Sequence, residues 1–338
     1  MKFTKYNSIE SHERSKTINM IRMSAEAMQD EFVCTQKIHG SNFSFWYDGN
    51  TFKCAKRTGF LGDNANFYNQ SIITEKNKDK VIQIYNLLKQ TYEFEVLTVC
   101  GETFGGYYPC KDVSSIPGVM KVQKGVGYTP DAEFYAFDIK IDNQYLNYDK
   151  AVEVFKATNM IYAEILCRGT LDECLQYPNE YQTTLPEKFG LPPIENNVCE
   201  GNVIKTVNYH SLPDGSRVII KNKNSKFKEK ENKKNKISTK KAVLLTEQEQ
   251  NIINDLQEYI TENRLRNVIS HVGQITHKDY GKLLGLYSKD IWEEYYKDNQ
   301  EEFDTIETDK QKLIRKMING FASKVIKDNI VNIIDGEF

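Results

Sequence analysis

Residues 37–46, KIHGSNFSFW, decide how the rest of the chain is read. Lys37, His39 and Asn42 crowd around Gly40, which sets a nucleophile, a proton-handling group and an amide about a flexible turn. The residues before it, 31–36 (EFVCTQ), have the composition of a short strand that delivers the chain to Lys37. Those after it, NFSFWYDGNTFKCAKRT, read as a hairpin of two β-rich runs about Asp48, Gly49 and Asn50.

Working outward, strand signatures return at residues 92–106 (YEFEVLTVCGETFGG), 132–142 (AEFYAFDIKID), 199–207 (CEGNVIKTV) and 216–224 (SRVIIKNKN). Residues 71–92 and 147–160 between them read as helices, and no internal repeat is present. After residue 241 the pattern changes. Thr246 and Glu249 match a capping box, and Ile252, Ile253, Leu256, Tyr259 and Ile260 follow at helical spacing. Residues 288–298 and 308–334 continue in the same style. The expectation is a strand-rich α+β domain over residues 1–240 and a small all-α domain over 243–338.

Composition bounds the function. The 338 residues, 27% charged and 39% apolar, are an ordinary globular balance with chain enough for two domains. No apolar run approaches the ~18–20 residues of a membrane span, and the first residues lack a signal-peptide core. Seven cysteines at scattered spacings, with no Cys-x-x-Cys, argue for reduced thiols in a cytoplasmic protein rather than zinc or disulfides. The net charge of −2 argues against indiscriminate nucleic-acid binding. It hides a basic stretch, however: residues 221–241 carry ten lysines against two glutamates, a local charge of about +8. Such a run is either a solvated linker or a site for an anion.

Each polar group on the strands has a bland and a chemical reading. Lys221 and Lys223 share one face of their strand, so they either guard an exposed edge or hold a phosphate between them. Glu102 and Glu200 each stand beside glycine at the end of an apolar run, as surface acids or as ligands for a ribose or a metal. Phe137 is most simply a core residue, and Arg57 an exposed one. No Gly-x-x-x-x-Gly-Lys-Ser/Thr occurs, which disfavours an ordinary P-loop.

In order, KIHGSNF, CAKRTG, CGETFGG, FYAFDIK, CEGNVIK and IKNKNSKF resemble the successive motifs of covalent lysyl-adenylate nucleotidyltransferases. His39 in the first motif is similar to the RNA ligase 2 family, which includes a bacteriophage double-strand RNA ligase and the kinetoplastid RNA-editing ligases. Residues 263–294 resemble the helical C-terminal domain of the phage enzyme, so the resemblance covers nearly the whole chain.

The resemblance implies ATP-grasp-like antiparallel sheets with flanking helices, and an ATP- and Mg²⁺-dependent (or Mn²⁺-dependent) ligase. It would act as a cytoplasmic monomer, of cellular or viral origin, with no membrane partner, that seals 3′-OH/5′-phosphate nicks in duplex RNA. Lys37 would attack the α-phosphate and carry AMP. A free lysine (pKa ~10.4) is neutral in only about one molecule in a few thousand at pH 7, so Lys221, Lys223 and the metal would have to disfavour its charged form. By the same resemblance Phe137 would stack on adenine, Glu102 and Arg57 hold the ribose, Asn42 contact phosphate, and Gln36 and Ile38 border the base. Glu200 would bind the metal. His39 and Asp138 are motif residues, and Arg264, Asp290 and Glu294 would serve end sealing. Gln36 departs from the glutamate usual before the lysine, a change that bears on selectivity for ATP. Capping guanylyltransferases and DNA ligases share the chemistry but typically have aspartate in place of His39 and an OB domain in place of the helical tail. A catalytically silent RNA-binding module would have lost at least one motif residue.

Overall fold

A computed structural model describes residues 1–62, 65, 67–228 and 245–338. It divides into two compact units, Met1–Lys226 and Phe227–Phe338. The domain boundary expected between residues 240 and 243, with most of the lysine run, lies outside the described residues.

In chain order the first unit contains strands β1 (Glu10–Ser11), β2 (Phe32–Gln36), β3 (Ser41–Tyr47), β4 (Phe52–Lys56) and β5 (Gly59–Phe60). It continues through β6 (Leu97–Tyr107), β7 (Thr129–Ile141), β8 (Gln144–Tyr145), β9 (Ile165–Gly169), β10 (Gly201–Thr206) and β11 (Ile219–Lys223). Two sheets result, one in the order β1-β11-β10-β2-β9 and one in the order β5-β4-β3-β6-β7-β8. The described ladders are antiparallel except β1 against β11.

Local chemistry explains the main features. Strand β2, between β10 and β9, is buried at all five positions; Phe32 and Cys34 enter one core, while Val33 packs with Tyr148 and Val207. The β3–β4 hairpin turns where expected: Asp48 Oδ1 accepts the N–H groups of Asn50 and Thr51 at 3.1 and 2.7 Å, and Gly49 takes φ +89°. The helix Gln70–Lys89 buries Ile73, Val81, Ile84 and Leu88 in a core with Phe43, Phe45 and Phe134 of the six-stranded sheet. A second core, with Ile21, Phe32, Cys34, Leu171 and Ile220, lies on the five-stranded sheet. All seven cysteines are free.

The β6–β7 ladder contains a bulge that matters for everything below. Cys100 pairs with Asp138 and Gly101 with Ala136, so Phe137 is an extra residue on β7. A bulge re-aims side chains, and here two consecutive residues meet the same neighbour. Tyr6 packs its ring edge-on to Phe137, 5.2 Å between centroids, and donates its hydroxyl to Asp138 Oδ2 at 2.5 Å. Asp138, 2% exposed, also receives Lys205 Nζ from β10 at 2.7 Å and the two Arg217 terminal nitrogens at 2.8 and 3.2 Å. One buried carboxylate thus joins the two sheets and the N-terminal segment.

The second unit has helices over Glu247–Glu258, Glu262–Val272, Tyr280–Asp304 and Thr308–Ile334. Thr246 and Glu249 form the expected capping box, with both reciprocal bonds made. Ile252, Leu256, Leu265, Tyr287, Tyr295, Phe303, Ile314 and Ile326 form its core.

Asp138 should therefore govern stability. Burial alone would raise its pKa, but Arg217 and Lys205 outweigh that and hold it well below the ordinary carboxylate range. A folded-state pKa below the unfolded one stabilises above the unfolded value of ~3.9 and is lost as pH falls toward the folded value. Asp138→Asn would leave two buried cations uncompensated, at a cost of about 3–5 kcal/mol and on the order of 10 °C in melting temperature. Thermal melts from pH 7 to pH 3 should show the variant less stable at neutral pH, with a shallower loss on acidification. Equal melting temperatures at pH 7 would remove the network from the stability of the fold.

Candidate active site

Lys37 stands one residue beyond β2, and its N–H still bonds Gly201 O at 2.8 Å, so its backbone is anchored to the five-stranded sheet. The following turn crosses to β3 in the other sheet. A Cβ on Gly40 would collide with the carbonyl oxygen of Thr103, so glycine is required here for close approach of backbone to backbone. His39 N–H donates to the Tyr128 hydroxyl at 3.0 Å.

Between the sheets lies a cleft lined by Gln36, Lys37 and Ile38 on one side and Glu102, Tyr135 and Phe137 on the other, with Val203, Lys205 and Tyr6 completing its walls. Lys37 Nζ sits at 2.9 Å from Glu200 Oε2, 3.4 Å from Ile38 O and 3.9 Å from Glu102 Oε1. Glu200, 2% exposed, also takes Lys223 Nζ at 2.7 Å on its other oxygen, and His39 Nδ1 lies 3.5 Å away. Lys221 is two residues back on the same face of β11, opposite the cleft residue Val203.

The two carboxylates are driven apart electrostatically. Burial alone would raise the Glu200 carboxyl, but Lys223, Lys37 and His39 outweigh it and hold it well below the ordinary range. Glu102 moves up, because burial and the neighbouring Glu200 charge exceed the pull of Lys37. Burial likewise lowers the His39 pKa, against the opposing effect of Glu200. The arrangement pairs a primary amine with an ionised carboxylate at the rim of a cleft that has an aromatic ring on one wall.

Other expected residues lie nearby or elsewhere. Asn42 is the cross-strand partner of Glu102, yet with Arg57 it lines an adjoining recess that shares Tyr6 with the cleft. Arg57 donates to Ser8 Oγ at 3.4 Å. Asp138 is a tie beneath Phe137: Lys205 donates both to it and to Phe137 O. In the second unit, Arg264, 3% exposed, bonds Asp290 Oδ2 at 2.7 Å, and Glu294 pairs with Lys297 at 3.1 Å. Lys205, Tyr6 and Tyr128 escaped the sequence reading. Only Lys205 carries a signal there, a lysine in phase with Val203 within an apolar strand.

Could a divalent metal be held here? Among the described residues no group of three or more His, Cys, Asp or Glu forms a cage. Mg²⁺ commonly needs only one or two carboxylates plus phosphate oxygens and water, and Glu200 with Glu102 beside Lys37 satisfies that donor set.

Comparison with known proteins fits this geometry. Residues 30–223 match the family model described as RNA ligase, and residues 242–324 match that described as T4 RNA ligase 2 C-terminal. The mitochondrial RNA-editing ligase 1 of Trypanosoma brucei brucei is 31% identical over 80% of this chain and 70% of its own length. The mitochondrial RNA-editing ligase 2 of that organism is 26% identical over 88% of this chain and 84% of its own. A solved structure, Naegleria gruberi RNA ligase with PPi, aligns at TM-score 0.43 and 21% identity, covering 67% of this chain and 57% of that one. This chain thus spans a little over half the length of that solved relative. With more than half of its residues in the family match, and with Lys37, Glu102 and Glu200 converging inside it, the chain belongs to the RNA ligase family, in the RNA ligase 2 branch.

Proposed function

We propose that this RNA ligase consumes ATP, carries AMP on Lys37 and seals 3′-OH/5′-phosphate nicks in duplex RNA. The observation that carries the reading is the Lys37 amine at the mouth of the cleft, held between Glu200 and Glu102 with Phe137 on the opposite wall. The neutral Nζ lone pair attacks the α-phosphorus, a P–N bond forms as one N–H proton passes to solvent, and the bond to the pyrophosphate oxygen breaks. An oxygen of the RNA 5′-phosphate then attacks the lysyl-AMP phosphorus, the P–N bond breaks, and Lys37 regains a proton. The 3′-hydroxyl attacks the activated 5′-phosphorus and AMP leaves.

The chain's own groups suit these steps. Phe137 offers a ring for the base, while Gln36 and Ile38 border it; Glu102 and Arg57 are the ribose candidates and Asn42 a phosphate contact. Lys221 and Lys223 supply positive charge where negative charge develops. Glu200 would hold Mg²⁺ or Mn²⁺. Such an ion would neutralise phosphate charge and disfavour the protonated amine. Lys37 must first exchange its bond to Glu200 for a position facing the α-phosphorus. A nicked duplex already holds both RNA ends adjacent, so the enzyme need supply activation and in-line alignment. Arg264, Asp290 and Glu294 are the proposed contributors to sealing from the helical unit. The proposal includes a cytoplasmic monomer, with free cysteines consistent with a reducing compartment.

Two experiments test it. Lys37→Ala should abolish covalent label from α-labelled ATP in a protein that still melts cooperatively, since Glu200 keeps Lys223 as a partner when the Lys37 amine is removed. The variant should still seal RNA that arrives 5′-adenylated. Near wild-type labelling of the variant would assign the nucleophile elsewhere.

A chain ending at residue 240 should form the labelled adenylate at close to the full-length level, because every adenylation motif precedes that point. Conversion of a 5′-labelled nicked RNA strand by the same preparation should fall at least about tenfold with the helical unit absent. Undiminished sealing would exclude that unit from the reaction, and absent adenylation would exclude an independent first domain.

A further inference from the structure

Gln36 is the wall residue next to the nucleophile, and its amide has two unlike ends. An NH₂ turned to the cleft donates, whereas a C=O turned to the cleft accepts. In the structure Nε2 donates to Thr183 Oγ1 at 2.8 Å in a buried bond. Thr183 Oγ1 also receives the Leu185 N–H at 3.4 Å, so the hydroxyl oxygen rather than its proton faces Gln36. With the donor end engaged, the carbonyl end is left for the cleft that Gln36 lines.

Thr183 is itself held. Its N–H bonds Asn197 O at 3.0 Å, and the Asn197 side chain clamps Gly127 twice, accepting from its N–H at 2.8 Å and donating to its C=O at 2.6 Å. Gly127 precedes Tyr128, whose hydroxyl receives His39 N–H. Thr183 and Asn197 are each 7% exposed. The segment that orients Gln36 is therefore tied to the turn that carries the nucleophile.

We propose that Thr183 is a positioning residue for base selection: it orients the Gln36 amide so that its oxygen faces a purine 6-substituent, accepting from an amino group and repelling a carbonyl. The inference rests on the nucleotidyl-transfer reading and deepens it. A carboxylate at this position would accept in either orientation, whereas an amide selects only when held. Thr183 supplies the holding that Gln36 requires.

The test uses the full-length chain and compares kcat/KM for covalent labelling of Lys37 by ATP and by ITP, which carries a 6-carbonyl in place of the amino group. Wild type should prefer ATP by about 10- to 100-fold, on the order of one hydrogen bond gained against one acceptor left facing another. Thr183→Val should reduce that preference about tenfold, and Thr183→Ala should do the same with less steric change. Thr183→Ser should restore it to within about twofold. Placing Thr183→Val in a Gln36→Glu background should leave the preference unchanged, because a carboxylate needs no orientation. An unchanged ATP:ITP ratio in Thr183→Val and Thr183→Ala, or a wild-type preference for ITP, would overturn the inference while leaving Lys37 as the nucleophile. Absence of label from either nucleotide on wild type would overturn the nucleotidyl-transfer reading, and the inference with it.

Discussion

The structure depends on a carboxylate buried almost completely from solvent. Asp138 takes hydrogen bonds from Lys205 on one sheet, from Arg217 ahead of β11 and from Tyr6 in the N-terminal segment. Among the described residues the buried clusters on the two sheets are separate, so directional contacts across the cleft help to set the separation of the sheets. An ion network does this with directional bonds, and its desolvation cost is offset because the acceptor is surrounded by donors. The same network holds the Phe137 carbonyl through Lys205, so the element that joins the sheets also fixes the aromatic wall of the cleft.

A second electrostatic arrangement sits at the other end of the cleft and has a different purpose. Glu200 is shared by Lys37 and Lys223, with His39 beside it, and stays ionised; Glu102, close to the same amine, is pushed toward its neutral form. Environments that drive two carboxylates apart allow one to hold cations while the other exchanges protons or hydrogen bonds. Lys37 is one of the two lysines that share this carboxylate.

The helical unit shows how a family resemblance and a physical reading complement each other. Asp290 and Glu294 on sequence alone are ordinary acids one turn apart. In the structure Asp290 neutralises Arg264, a guanidinium 3% exposed that also lies 5.5 Å from the Tyr259 ring centroid. A buried arginine so paired has a structural role in the helical unit.

Much of this protein was legible in the chain. Alternating apolar runs announced β3, β4, β6, β7, β10 and β11, and capping and spacing announced the helix from Glu247. The short edge strand β9 and the helices Ser15–Met23 and Ala25–Gln29 were not announced, because short segments carry too few periods to register. Of the site, the ordered motifs around Lys37, Glu102, Phe137, Glu200 and Lys223 could be read, since strand periodicity and motif order are local properties. What only the tertiary structure decided were the partners: the bulge that turns Phe137 and Asp138 toward Tyr6, the Glu200 carboxylate between two lysines, and Thr183 against Gln36. Gln36 and Thr183 are 147 positions apart, and Tyr6 and Asp138 are 132 apart. Hydrogen bonds across such separations depend on loops and a terminal segment packing against the sheets, which no local pattern of residues encodes.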